Sequence, residues 1–185
     1  MKIALIPGVF FPLPGGAQVQ THNLANKLVE IGHSVDILLL NKTDIKNNFY
    51  NTFIINKLLL SIFFYLNKIF KINFSFYLKL YFKKIIKKNN YDIFHFHLLN
   101  FKTLYILEIL KELNQKVVVT VHGIDIQIDE NIKYGYRLNK SYEKKFLNAV
   151  TKVDKFFSIS ENIKDDLLKL GISESKIIPI PNGIE

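Results

Sequence analysis

Two short segments combine residue types and spacing able to do chemistry: Pro14-Gly15-Gly16-Ala17 near the start and Thr120-Val121-His122-Gly123 in the middle of the chain. The first follows an apolar run, Lys2 to Ile6, and a loop rich in breakers, Pro7 to Gly16. It opens a helix-like pattern with Ala17, Thr21, Leu24, Ala25, Leu28 and Ile31 on one face. Glycines at a helix start leave backbone N–H groups open at the positive end of the macrodipole, with no Cβ to hold an anion away. The pair reads as a phosphate cradle or as a tight strand-to-helix turn, and no Gly-x-Gly-x-x-Gly fingerprint decides between them.

In the second segment an apolar strand breaks open at His122, and Gly123 lets a ligand approach. Imidazole there can donate to a hydroxyl or phosphate, or stabilise developing charge. His97, at the mouth of the run Asp92 to His97, ranks behind it. His95, inside that run, reads as a core or hydrogen-bonding histidine. No Asp or Glu stands at metal-ligand spacing from His95, His97 and His122, so no metal site is expected. Ser158 with Glu161 fits a capping box, and Ser160 is a second cap for the same helix.

These residues fall at the ends of alternating elements. Val35 to Leu40, Asp92 to His97, Lys116 to Val121, Asp154 to Ile159 and Lys176 to Ile180 read as strands. Helical patterns cover Lys57 to Lys88 in one or two pieces, Phe101 to Leu113, Asp129 to Val150, and Glu161 to Leu170, which Gly171 ends. Near-continuous apolar strands in such alternation imply an α/β fold: a Rossmann-like doubly wound parallel sheet with helices on both faces. Ligands of such sheets gather at the carboxyl ends of the strands.

At 185 residues, 49% hydrophobic and 22% charged, the chain suits one globular domain with a substantial core. It has no cysteine, which excludes disulfides, thiolate catalysis and zinc–thiolate sites. The prolines after Ile6 make the N-terminus a poor signal peptide, so the reading is a cytoplasmic start.

The charge is localised. Ile45 to Tyr91 contains nine lysines, no Asp or Glu, and 13 of the 25 aromatic residues, leaving sixteen basic against sixteen acidic residues elsewhere. The whole net charge of +9 therefore belongs to this segment. Lysines among aromatics suit an anionic membrane surface, with Lys79, Lys83, Lys84, Lys87 and Lys88 as its candidates. The run Leu58 to Phe64 is too short, between Lys57 and Lys68, to span a bilayer, so attachment would be peripheral. Nucleic acid is disfavoured because Arg137 is the sole arginine. The alternative is an ordinary surface filled by a Lys- and Asn-rich composition.

Five blocks in order resemble glycosyltransferase family 4 enzymes of the GT-B fold. They are Lys2–Ile6 with Pro14-Gly15-Gly16-Ala17; Gly32-His33-Ser34-Val35; Asp92-Ile93-Phe94-His95-Phe96-His97; Thr120-Val121-His122-Gly123; and Ile178-Pro179-Ile180-Pro181-Asn182-Gly183-Ile184. The resemblance implies an N-terminal acceptor-side domain over 1–180 and the start of an interdomain hinge at 181–185. It implies a retaining enzyme that moves a sugar from a nucleotide-diphosphate sugar to a lipid-linked or cell-envelope glycan. No other cofactor is implied. Under it, Gly15 and Gly16 form the donor-phosphate loop and His122 is the catalytic histidine. Gln18, His22, His97 and Gly123 lie on the acceptor side.

The family's second Rossmann-like domain carries the nucleotide, basic phosphate ligands and a paired-glutamate motif. None of these is found before Glu185, which itself replaces the family's usual aspartate. The chain reads as an N-terminal half, whether an excised piece, a truncated gene product or one subunit of a split enzyme, inactive without a donor-binding domain in cis or trans. The competing class is a non-catalytic acceptor-binding or membrane-recruiting subunit.

Overall fold

The computed structural model describes residues 1–11, 15–43, 49–55, 62 and 75–183. In chain order the elements are β1 (Lys2–Pro7), α1 (Gly16–Glu30), β2 (Ser34–Leu39), β3 (Asn51–Ile54), α2 (Ser75–Asn89), β4 (Ile93–His97), α3 (Phe101–Glu112), β5 (Val117–Val121), α4 (Lys140–Val150), β6 (Lys155–Ser158), α5 (Glu161–Lys169) and β7 (Ile177–Pro179). One parallel sheet runs β3-β2-β1-β4-β5-β6-β7. The order reverses between β1 and β4, which makes their carboxyl ends the topological switch point.

Burial on both faces explains the near-continuous apolar strands. On one face Ile3, Leu5, Val35, Ile37 and Leu39 pack against Ala25 of α1. On the other, Ala4, Ile6, Phe94, Phe96, Val119 and Phe156 pack beneath α2, α3 and α4. Because side chains alternate along a strand, the register Leu5↔His95 and His97↔Thr120 puts both histidines on the α1 face. Asp36, 1% exposed, is the charged intrusion in β2. Its carboxylate accepts from Tyr91 Oη at 2.7 Å and Asn51 Nδ2 at 3.0 Å, and Lys2 Nζ lies 3.5 Å away. Burial, then the bond to Asp36, pushes the Tyr91 phenol well above its ordinary range, so it stays a donor.

The structure departs from the sequence reading in three places. β3 was not expected: its four residues are all exposed on the sheet edge, so no apolar alternation marks it. Asp129 to Val150 is not one helix. Asp129 pairs with Tyr134 in a short bridge, a 3-10 turn follows at Tyr136–Leu138, and α4 begins only after Asn139. Asn139 accepts from the amides of Ser141 and Tyr142, so the new helix has its own N-cap. Ser158 does not cap. It closes β6 with its hydroxyl buried and without a partner among the described residues, while Ser160 Oγ accepts from the Ile163 amide at 3.3 Å. The expected apolar run Leu58 to Phe64, apart from Ile62, lies outside the described residues, as do Pro14, Lys57, Lys68 and Glu185. Among the described residues no helix is long and apolar enough to cross a membrane.

Candidate functional site

The loops leaving β1, β4 and β5 are bonded into one floor. The Gly8 amide donates to the His97 carbonyl at 2.7 Å, Asn100 Nδ2 to the Gly8 carbonyl at 2.5 Å, and the Leu98 amide to Thr120 at 3.1 Å. Asn100 also caps α3 in a capping box with Thr103. Gly8 is required by this contact, since a Cβ there would stand 2.1 Å from the Leu98 carbonyl oxygen. Leu98 has φ 63, a strained backbone for a branched residue, and its neighbours hold it there.

Asp125 is the strut beneath the floor. It is wholly buried, and its two carboxylate oxygens accept from the Leu99 amide at 3.1 Å and the His122 amide at 3.0 Å. Tyr142 Oη donates to the carbonyl of Leu99 at 2.7 Å and lies 3.3 Å from that of Asp125. Burial pushes the Asp125 carboxyl up to about 6, against the pull of the surrounding amides. The sequence signal for this strut was the three-residue step from His122 to Asp125. Tyr142, on α4, gave none.

On the α1 face of the sheet the three imidazoles form a ladder. His95 Nε2 is bonded to Thr120 Oγ1 at 2.8 Å, as expected of a structural histidine. His95 and His97 rings lie 4.3 Å apart, and His97 Nδ1 meets His122 Nε2 at 3.4 Å. His97 is 3% exposed, and its Nε2 is buried without a partner among the described residues. Gly123, with φ 101, follows His122; Gln127 Oε1 and Tyr134 Oη would stand 3.0 and 3.1 Å from a Cβ placed on it. A side chain here would therefore be strained and crowded together.

Burial lowers the His122 imidazole to about 4. It lowers His95 to about 3, with a smaller contribution from His122, and it lowers His97, with repulsion from His95 and His122 added. All three are uncharged at neutral pH. Unfolded, they take up protons below about 6.5; folded, they resist until lower pH, so stability rises with pH across that window. Asp125, raised from 3.8 to about 6, acts in the opposite sense, as one group against three. The thermal midpoint is expected to be level above about pH 7 and to fall steadily between about pH 6.5 and 4. A level profile through that window would contradict buried neutral histidines.

The other expected site residues are placed apart from this ladder. Gly15 is the N-cap of α1. Among the described residues no side chain caps the helix, and its first turn has no acid, an arrangement suited to an anion. A Cβ on Gly16 would meet nothing within 4 Å, whereas one on Gly15 would stand 2.5 Å from Gln18 Oε1, so Gln18 folds back over the turn. His22 is held by its own neighbours, with Nδ1 bonded to Tyr50 Oη at 2.7 Å and Nε2 to Asn26 at 3.2 Å.

A cleft of about 410 Å³ opens at the carboxyl edge, lined among others by Gly8, Leu40, Asn100, Phe101, Tyr136 and Tyr142. Gln18, His22 and His97 do not line it. Its aromatic wall was missed because those residues come from three separate segments. Arg137, the sole arginine, is not in it. Its guanidinium bonds Glu143 through two nitrogens at 2.6 and 2.7 Å and the Ile126 carbonyl at 2.5 Å.

No curated protein sequence matches the chain. Solved structures that share its fold include the following three. A glycosyltransferase from Rickettsia africae ESF-5 is 23% identical with a TM-score of 0.62, covering 99% of this chain and 43% of that one. HepE of Anabaena in complex with UDP is 12% identical with a TM-score of 0.66, covering 100% and 45%. The UDP-GlcNAc 2-epimerase of Methanocaldococcus jannaschii is 13% identical with a TM-score of 0.58, covering 98% and 46%. The chain spans less than half the length of each. Its sheet is one half of the GT-B fold. The family model described as Glycosyltransferase Family 4 matches residues 14–185, so the chain belongs to glycosyltransferase family 4, as an N-terminal domain.

Proposed function

We propose that the chain is the acceptor-side domain of a retaining glycosyltransferase. It would move a sugar from a nucleotide-diphosphate donor to a lipid-linked or cell-envelope glycan, with residues 1–180 as the domain and 181–185 leading into the hinge. The carrying observation is the uncapped glycine start of α1 at the same sheet edge as the neutral His122. UDP in the complex of a structural relative supports the donor class.

In this reading the bond between the anomeric carbon and the diphosphate breaks, and a bond to the acceptor oxygen forms on the same face. The acceptor proton goes to the leaving phosphate oxygen. The first amides of α1, with Gly15 and Gly16, face the charge that builds on the diphosphate. His122, uncharged, forms a hydrogen bond with a hydroxyl of the transferred sugar rather than acting as a cationic acid. The aromatic cleft beside Gly8 and Asn100 holds the acceptor, and a donor-binding domain closes the site.

Two measurements test this division. Titrated alone with UDP-glucose, the chain is expected to bind with Kd no tighter than about 1 mM. Combined with its donor-binding domain, it is expected to release UDP from a UDP-sugar in an acceptor-dependent way. Micromolar binding by the chain alone would overturn the division of labour. Absence of UDP release across UDP-sugars and glycan acceptors would favour the non-catalytic recruiting subunit.

A further inference from the structure

Helix α2 displays its charge and its exposed rings on one stripe. Phe76, Tyr77, Leu80, Lys83, Lys84, Lys87 and Lys88 are all exposed, the first three at 62%, 59% and 46%. At about 100° per residue they fill an arc of about 140°. Leu78 and Phe82, on the other side, are 1% and 0% exposed and anchor the helix in the core. Lys79 stands off the stripe and pairs with Glu112 of α3 at 3.2 Å, so it is removed from the surface the sequence reading assigned it to. The remaining four lysines pair with no carboxylate among the described residues.

The stripe is sorted along its axis, apolar at the N-terminal end and cationic at the C-terminal end. α2 leads into β4, whose first residues pair at the amino edge of the sheet, where the Asp92 amide donates to Lys2. The helix therefore runs antiparallel to the strands, as a crossover between parallel strands must. Its apolar end points toward the carboxyl edge, where the cleft and His122 lie.

We propose that this stripe docks the protein on an anionic lipid bilayer. Phe76, Tyr77 and Leu80 enter the headgroup region, and Lys83, Lys84, Lys87 and Lys88 meet the lipid phosphates. A surface both apolar and cationic, without an acid from Ile45 to Tyr91, is complementary to that interface on both counts. A nucleic-acid duplex would leave the three apolar side chains uncovered, and the one guanidinium fork is held by Glu143. Entry of the apolar end would turn the carboxyl edge toward the bilayer. The inference does not depend on the transferase reading.

Co-sedimentation with vesicles of phosphatidylcholine, with and without one-third phosphatidylglycerol, tests it. The wild-type chain is expected to sediment with the anionic vesicles only. Lys83→Glu/Lys84→Glu/Lys87→Glu/Lys88→Glu is expected to weaken partitioning by at least about tenfold, and Phe76→Ser/Tyr77→Ser/Leu80→Ser to weaken it as well, with thermal midpoints unchanged. A gentler set, the four lysines to Gln, removes the charge without reversing it and is expected to show the same loss. Wild-type chain left in the supernatant, lysine variants that sediment normally, or equal affinity for a DNA duplex would each overturn the proposal.

Discussion

His122→Ala, in an enzyme carrying both Rossmann-like domains, is expected to lower kcat by about a hundredfold or more, the range for loss of one preorganised hydrogen-bond partner in a transition state. The fold should tolerate the change. It is the His122 amide, not the ring, that bonds Asp125, and among the described residues the ring has one weak partner, His97 at 3.4 Å. A thermal midpoint within a few degrees of wild type therefore accompanies the loss. If the ring acts as a neutral hydrogen-bond partner, His122→Gln should recover part of kcat and leave KM for the donor close to wild type. Wild-type turnover in the alanine variant would take His122 out of the site.

Asp125→Ala should act through stability. The substitution leaves two buried amides, Leu99 and His122, without acceptors, and an unsatisfied buried donor costs about 1–3 kcal/mol. Adding the lost support of Leu98 in its strained conformation, the free energy of unfolding in urea at neutral pH is expected to fall by about 3–5 kcal/mol. Asp125→Asn keeps one acceptor oxygen and drops the buried charge, so it should fall by less. A loss under about 1 kcal/mol for the alanine variant would mean that water replaces the carboxylate and that Asp125 is no strut.

These two residues differ in how visible they are before folding. His122 stands out because Val117–Val121 ends in a histidine followed by glycine, a local pattern that survives without knowledge of the fold. The sheet, its parallel sense and the strand-end location of the motifs were equally legible, because burial on both faces imposes apolar runs on β1 and β5 and leaves only histidines to interrupt β4. Tyr142 carries no such mark. Its hydroxyl matters only because α4 lies over the Leu99 loop, forty-three positions earlier in the chain. β3 was missed because an exposed edge needs no pattern, and the break before α4 because Ile132 and Tyr136 continue a helical spacing across Gly135 and Asn139. Lys79 looked like its neighbours in sequence, and its angular position on α2 together with Glu112, on another helix, set it apart.

The register at the switch point also bears on when the site can come into being. β1 pairs with β2 over a short span, Ile3 with Val35, but its other partner is far along the chain: Ile3 meets Ile93, ninety positions away. Closing so long a loop is entropically costly and slow beside local pairing. The β4 side of β1 therefore stays unpaired until that long loop closes. The floor formed by Gly8, His97 and Leu98 is assembled by that late closure. The turn at Gly8 is thus completed by residues far along the chain, and the crevice appears only when the two halves of the sheet join.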